Sequence, residues 1–129
     1  DPFVKGKIAN MYADIGEVFA SSGMWAEAIG EYKRALALCP QFVDIRLKLG
    51  DACRDAGDST EALSQFEEII KESPNYLPGR VHYGIALYSA GRKADAVKAW
   101  EEVLARSPGN KSAEMYLNLV KDMGKGEVG

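Results

Sequence analysis

The sequence repeats itself every 34 residues, and this period limits the fold more than any other feature. Six columns of residues share it: Pro40, Pro74 and Pro108; Gly16, Gly50 and Gly84; Gly23, Gly57 and Gly91; Ala28, Ala62 and Ala96; Tyr32, Phe66 and Trp100; and Glu27, Glu61 and Asp95. A fixed period of this length is typical of stacked repeats, in which each unit buries its apolar face against its neighbours. The chain therefore divides into units at 9–42, 43–76 and 77–110, and residues 111–123 begin a fourth unit that stops after one helix.

The local signals predict two helices in each unit. In the second unit, helix A is expected from about Val43 to Ala56, and Gly57 can end it because glycine adopts positive φ without strain. Asp58 and Glu61 have the spacing of a capping box, which starts helix B. Helix B is expected to end before Pro74, since proline lacks the backbone N–H that a helix needs.

The two ends of the chain carry signals of their own. Asp1 is a candidate N-cap with Pro2 at the first helical position, and this pair would start the first helix early. Asn110 is a candidate N-cap for the last helix, and Gly124 is its candidate stop. Residues 124–129 are therefore expected to form a disordered tail, which leaves 1–123 as one domain.

Composition excludes several classes of function. A net charge of −3 is unfavourable for nucleic acid, and no apolar run is long enough to span a membrane. Two cysteines, Cys39 and Cys53, and a single histidine, His82, give neither a disulfide scaffold nor a metal site, so no metal or cofactor is expected. We expect a cytoplasmic protein because both thiols read as free, with a periplasmic or secreted domain as the alternative. The chain begins without methionine and is therefore interpreted as an excised domain or a processed product.

The repeated small residues predict close helix contacts. Gly16, Gly50 and Gly84 fall in the middle of helix A, where glycine costs about 1 kcal/mol relative to alanine. We expect these glycines to lie against the alanine column of helix B, with the aromatic column filling the wider gap beside it.

These columns resemble the tetratricopeptide repeat (TPR) family, whose pattern is W-x₂-L-G-x₂-Y…A-x₃-F…P. The first unit matches it at Tyr12, Ile15, Gly16, Phe19, Ala28, Tyr32 and Pro40; the second at Leu49, Gly50, Cys53, Ala62, Phe66 and Pro74; and the third at Tyr83, Gly84, Leu87, Ala96, Trp100 and Pro108. Two departures are Arg46 and Arg80 at the usually aromatic first position, and a third is Asn118 in the glycine column of the partial unit. The resemblance implies an all-α, right-handed superhelical solenoid of antiparallel helix pairs, with three units and a C-terminal capping helix.

The resemblance also implies a protein-interaction module that binds a peptide or helical segment in its concave groove, which is lined by the A helices. The groove-facing positions define a candidate peptide-binding set: Asp14, Glu17, Leu47, Lys48, Asp51, Arg54, Val81, His82, Ile85 and Tyr88. Its N-terminal half is acidic and its C-terminal half is apolar, which predicts a partner with basic and apolar anchors. Two alternatives remain open: internal packing of Val81 and Ile85 against Met115 and Leu119 of the last helix, and an ordinary solvated face for the carboxylates.

Some relatives in this family hold the C-terminal carboxylate of heat-shock chaperones with a clamp of Lys, Asn, Asn, Lys and Arg. The corresponding residues here are Ala13, Glu17, Lys48, Pro78 and His82. Only Lys48 has the required charge and Glu17 would repel the ligand, so the sequence predicts no clamp of this type.

Two other classes of function fit the sequence less well than peptide binding. An enzyme is not expected because no nucleophile is convincingly placed beside His82. Self-assembly is the alternative to peptide binding: Ile8, Met11 and Trp25 would be exposed at the N-terminal end unless further units precede them or two copies meet there. Trp25 is expected to cover that end.

Overall fold

In the computed structural model, seven α-helices follow one another, and residues 1–128 contain no strand. The structure describes the backbone of residues 1–128 and the side chains of residues 1–124. The helices are α1 (Pro2–Ser21), α2 (Trp25–Leu38), α3 (Val43–Asp55), α4 (Ser59–Glu72), α5 (Leu77–Ser89), α6 (Lys93–Arg106) and α7 (Lys111–Val128). The predicted all-α helical-repeat solenoid is confirmed: α1, α3, α5 and α7 are the A helices, and α2, α4 and α6 are the B helices.

The helix ends follow the sequence signals closely. Gly23, Gly57 and Gly91 have φ of 73°, 87° and 83°, and each lies between the A and B helices of its unit. The Asp1 carboxylate accepts a hydrogen bond from the Phe3 amide at 2.9 Å, so α1 does start early, with Pro2 in its first turn.

Only half of the expected capping box forms at the start of α4. The Asp58 carboxylate accepts from the Glu61 amide at 3.1 Å, as expected. The Glu61 carboxylate does not reach back to the Asp58 amide: it accepts from Gln65 at 2.9 Å, and the Asp58 amide donates to the Cys53 carbonyl. The last helix is likewise capped by Asn110, which accepts from the Ala113 amide at 3.0 Å.

The C-terminal stop is placed differently from the expectation. Helix α7 passes Gly124 and is described as far as Val128. The sequence predicts a disordered tail at 124–129. The side chains of residues 125–129 and the backbone of Gly129 lie outside the described residues, so the disorder of the tail stays a prediction.

Each mid-helix glycine lies under an aromatic ring of helix B. A Cβ added at Gly16 would be 2.7 Å from the Tyr32 ring, and one added at Gly50 would be 2.6 Å from the Phe66 ring. Gly84 faces Trp100 in the same way. The predicted close contact is confirmed, but the nearest atoms belong to the aromatic ring rather than to the alanine, because the ring needs the space that a missing side chain leaves.

Packing runs from each helix to its neighbours along the chain, with α3 also contacting α5. One buried cluster fills the first two units and reaches Ala86, and a second fills the third unit and α7. The A helices consequently form one continuous face, whose side chains outside the framework columns are free to differ from unit to unit.

Candidate functional site

The groove side of the A helices carries a ladder of contacts between neighbouring units. The ninth residue of one unit meets the sixth residue of the next, and the two are always 31 positions apart. The Lys48 ammonium lies 3.4 Å from Glu17, which ties α3 to α1. The His82 Nδ1 lies 2.8 Å from an oxygen of Asp51, which ties α5 to α3.

Asp51 is the centre of the polar half of this face. Besides His82, its carboxylate contacts the Arg54 guanidinium at 3.2 Å, and Arg54 also reaches Asp55 at 3.3 Å. The two predicted basic residues, Lys48 and Arg54, are therefore both engaged by groove carboxylates. Among the side chains of residues 1–124, Asp14 and Asp44 make no ion pair, so the charge left open on this face is negative.

A cleft of about 310 Å³ opens beside the first rung, between α1 and α3. Glu17, Trp25, Lys48 and Asp55 line it. Trp25 was expected to cover the N-terminal end of the solenoid, and this prediction was wrong: its indole is half-buried at the groove. Burial raises the pKa of Tyr32 beside this cleft, and the nearby Glu17 and Asp51 carboxylates raise it further.

The third rung of the ladder is apolar. The next pair in the 31-residue register is Ile85 on α5 and Tyr116 on α7, and both line a cavity of about 190 Å³. Tyr88, Leu119 and Met123 complete its sides, and the Tyr88 hydroxyl lies 3.6 Å from the Met123 sulfur.

Trp100 forms the floor of this cavity. Its indole N–H donates to the Val81 carbonyl at 3.1 Å, and its ring stacks on Tyr116 with centroids 5.3 Å apart. A buried indole whose N–H is hydrogen-bonded gives the cavity an ordered floor.

The ten predicted site residues occupy different depths. Val81 is only 5% exposed and supports the groove from beneath. Leu47 is half-buried against the first core cluster, and His82, Ile85 and Tyr88 are half-buried at the surface. Asp14 and Glu17 are exposed on α1.

Sequence reasoning counted Tyr116 and Leu119 of the last helix among the groove-facing positions but not in the binding set, and it missed Met123. The sequence does contain a signal for Tyr116. An acidic residue is followed by a basic residue 31 positions later at Glu17–Lys48 and at Asp51–His82, and the same step of 31 from Ile85 leads to Tyr116.

Two family models cover most of the chain. One, described as TPR repeat, matches residues 16–57, and the other, described as Tetratricopeptide repeat, matches residues 54–119. This chain belongs to the tetratricopeptide repeat family. The prediction from the sequence columns is confirmed, and membership makes the chain a protein-interaction module.

Solved TPR structures share the fold at low sequence identity. The first TPR domain of human RPAP3 has a TM-score of 0.79 and 20% identity over 89% of this chain and 91% of that one. The second TPR domain of human RPAP3, in complex with the HSP70 peptide SGPTIEEVD, has a TM-score of 0.77 and 24% identity over 94% and 98%. The first TPR of Spaghetti, bound to the HSP90 peptide SRMEEVD, has a TM-score of 0.80 and 19% identity over 92% and 96%. No curated protein matches the chain in sequence.

The positions of the chaperone clamp can be located on this TPR domain. Ala13 is buried, Pro78 is exposed, and neither carries a polar side chain. Lys48 is paired with Glu17, and His82 with Asp51. In residues 1–128 of this TPR domain, no helix has the length and apolar character that crossing a bilayer requires.

Proposed function

We propose that this TPR domain binds a partner segment that places an apolar side chain in the cavity between α5 and α7 and basic side chains along the acidic first two units. The observation that carries the proposal is the cavity itself, whose walls are almost entirely apolar and include Ile85 and Tyr88 of the predicted binding set. A volume of about 190 Å³ suits one large aliphatic or aromatic side chain.

The exposure of the last helix supports a site rather than internal packing alone. Met115 and Leu119 are 49% and 51% exposed although α7 is packed against its neighbours, whereas Val81 is buried in the core. A row of half-exposed apolar side chains beside a rigid indole is typical of a binding surface.

The charge of the first two units supports basic anchors. Among the described side chains Asp14 and Asp44 make no ion pair, and the cations of this face, Lys48 and Arg54, are already paired with Glu17, Asp51 and Asp55. Such a face speeds the approach of a basic segment more than it tightens the complex.

The same charges argue against a chaperone C-terminal carboxylate as ligand. The peptide complexes of the RPAP3 and Spaghetti domains point the other way, but at 19–24% identity these neighbours share only the fold. In this chain Glu17 stands at a clamp position, and the Asp51 carboxylate faces His82 at another. We therefore place the chaperone carboxylate outside the ligand class.

Binding without catalysis fits the side chains present. His82 is held by Asp51, both cysteines are buried, and burial raises the pKa of the Cys53 thiol to about 11, which keeps it protonated and unreactive. The two free thiols also fit a reducing compartment such as the cytoplasm.

The test is fluorescence anisotropy with an array of labelled peptides that combine two Lys or Arg residues with one Leu or Phe at varied spacing, and with SRMEEVD as the comparison. We expect a basic–apolar peptide to bind and SRMEEVD not to bind. Ile85→Asp and Tyr88→Ala should each weaken the best peptide at least ~10-fold with unchanged far-UV circular dichroism.

Met24→Ala is the matched control, because Met24 is an exposed apolar side chain in the α1–α2 turn, outside the cavity. Equal affinity of Ile85→Asp and the unaltered chain would rule out the cavity as the anchor site. Tight binding of SRMEEVD would overturn the exclusion of the chaperone carboxylate.

A further inference from the structure

The cleft between α1 and α3 and the apolar cavity between α5 and α7 occupy the same position in the repeat, two units apart. Every residue that lines the cavity lies two periods after a residue that lines the cleft. Ile85 of the cavity, for example, corresponds to Glu17 of the cleft, and Trp100 corresponds to Tyr32. The groove therefore repeats one position at three junctions between units and fills it with different side chains.

At the middle junction, the chain fills this position with an arginine of its own. Arg54 lies one period after Ala20, which lines the cleft, and one period before Tyr88, which lines the cavity. The Arg54 guanidinium contacts Asp51 at 3.2 Å and Asp55 at 3.3 Å. Its side chain is only 19% exposed. This position of the groove therefore accommodates a largely buried arginine between carboxylates.

At the first junction the same space is open, because Ala20 stands where the second unit has Arg54. Three carboxylates line the resulting cleft: Glu17, Asp51 and Asp55. The cations paired with them are Lys48 and Arg54, so with His82 neutral one negative charge is left uncompensated. The Lys48–Glu17 contact is 3.4 Å long and exposed, and such a pair is weak enough for a second cation to compete with it.

A tyrosine hydroxyl without a partner faces the cleft. Tyr32 is only 2% exposed and lines the cleft. Among the side chains of residues 1–124, the Tyr32 hydroxyl makes no hydrogen bond, and no buried polar atom of theirs lacks a partner. The hydroxyl therefore lies at the open surface of the cleft, where its oxygen is free to accept a hydrogen bond. Burial and the Glu17 and Asp51 carboxylates raise the pKa of Tyr32, which keeps this hydroxyl neutral.

We infer that the cleft binds the guanidinium of one arginine of the partner segment, in the place that Arg54 occupies one unit later. The half-buried indole of Trp25 also lines the cleft, and a planar guanidinium stacks on such a ring. The five N–H donors of arginine allow it to bond the Tyr32 hydroxyl and the carboxylates together. This inference rests on the proposed function: it makes arginine the basic anchor and adds Trp25 to the binding residues.

The test is a two-dimensional NMR titration of the nitrogen-labelled full chain with N-acetyl-arginine amide. The chain has two tryptophans, Trp25 and Trp100, so Trp25→Phe assigns both indole N–H signals. The Trp25 signal should shift and saturate at roughly millimolar ligand, as expected for so small a molecule, and the Trp100 signal should stay in place. N-acetyl-citrulline amide has the same shape without the charge, and it should move neither signal.

Ala20→Arg tests the position within the cleft, because it supplies the side chain that the second unit carries at Arg54. The variant should keep its far-UV circular dichroism and bind N-acetyl-arginine amide at least ~10-fold more weakly. Val18→Arg is the matched control: it adds the same charge to an exposed position of α1 outside the cleft, and it should bind more tightly than Ala20→Arg. An unmoved Trp25 signal, an equal response to the citrulline compound, or equal affinity in the two arginine variants would overturn the inference.

Two further measurements separate this result from the proposed function. Ile85→Asp alters the cavity two units away, so the response of the Trp25 signal to N-acetyl-arginine amide should persist in that variant. If it persists while Ile85→Asp leaves peptide affinity unchanged, the cavity is not the apolar anchor site, but the cleft still binds arginine. If peptides bind through the cavity and replacing their arginine by citrulline has no effect on affinity, the inference fails and the apolar anchor stands.

Discussion

The two halves of the groove use one geometric relation for opposite chemistry. The relation pairs the ninth residue of a unit with the sixth of the next, and it gives the contacts Glu17–Lys48 and Asp51–His82 in the first half. In the second half it gives Ile85 and Tyr116, which face one cavity. The glycine and aromatic columns are the same in both halves. The framework therefore fixes the positions of the paired side chains but not their residue types.

The floor of the apolar half provides the strongest test of this contrast. Trp100→Ala should lower the free energy of unfolding by about 4 kcal/mol, since a buried indole and its hydrogen bond to Val81 are lost. It should also abolish binding of apolar-anchored peptides, because Trp100 lines the cavity. Urea unfolding and peptide anisotropy measure the two effects.

Phe66→Ala is the control in the same column, one unit earlier. It should cost a similar free energy, but it leaves the cavity walls in place, so peptide affinity under native conditions should change little. If both variants lost peptide binding equally, the two halves would not be independent.

Alkaline pH should weaken the half of the molecule beneath the polar rungs. Burial raises the pKa of Cys53 from 9.0 to about 11, and burial also raises the pKa of Tyr32 and Tyr76. The unfolded chain loses these protons first, so the stabilisation is complete below pH 9 and is lost as the pH rises toward 11. Cys53 alone should account for at most about 3 kcal/mol, since one pKa unit corresponds to about 1.4 kcal/mol.

Urea unfolding at pH 8, 9, 10 and 11 measures this loss. In Cys53→Ala the decline between pH 9 and 11 should be shallower than in the unaltered chain, whatever the variant costs at pH 8. Parallel declines in the two proteins would show that the thiol does not contribute.

The smallest effect is expected at the second polar rung. Asp51→Asn removes the charge that faces His82 and Arg54, and it should cost about 0.5–1 kcal/mol because these groups are partly solvated. The cost should fall in high salt, whereas the cost of Ile85→Ala at the apolar rung should not. Urea unfolding at low and high salt compares them, and a salt-independent Asp51→Asn would show that the rung does not act through charge.

The fold could be predicted because its determinants are local and occur three times. Gly57 at positive φ, Asp58 at a helix start and Asn110 before α7 each act within a few residues, so their effect can be read from the chain alone. The end of α7 could not be predicted in this way, because a glycine stops a helix only when the chain turns there, and Gly124 does not.

The groove was only partly predictable because its contacts cross between units. Aligning the units by their period compares residues 34 apart, whereas the rungs join residues 31 apart. The basic side chains therefore looked available for a ligand when they were already paired. The position of Trp25 was predicted wrongly for a related reason. The direction of a side chain at the start of a helix depends on the rotation between neighbouring units, and this angle cannot be read from the sequence.

One wall of the cavity belongs to the last helix, and this bears on how long a partner would stay bound. Helices of such an array are held by their neighbours, so α7, packed chiefly on α6, is the first that thermal motion can lift away. In the proposed complex, a partner side chain between Tyr88 and Leu119 would leave when that helix lifts, and it would hold the helix in place while bound. The residence time of such a partner would then be limited by how long α7 stays packed.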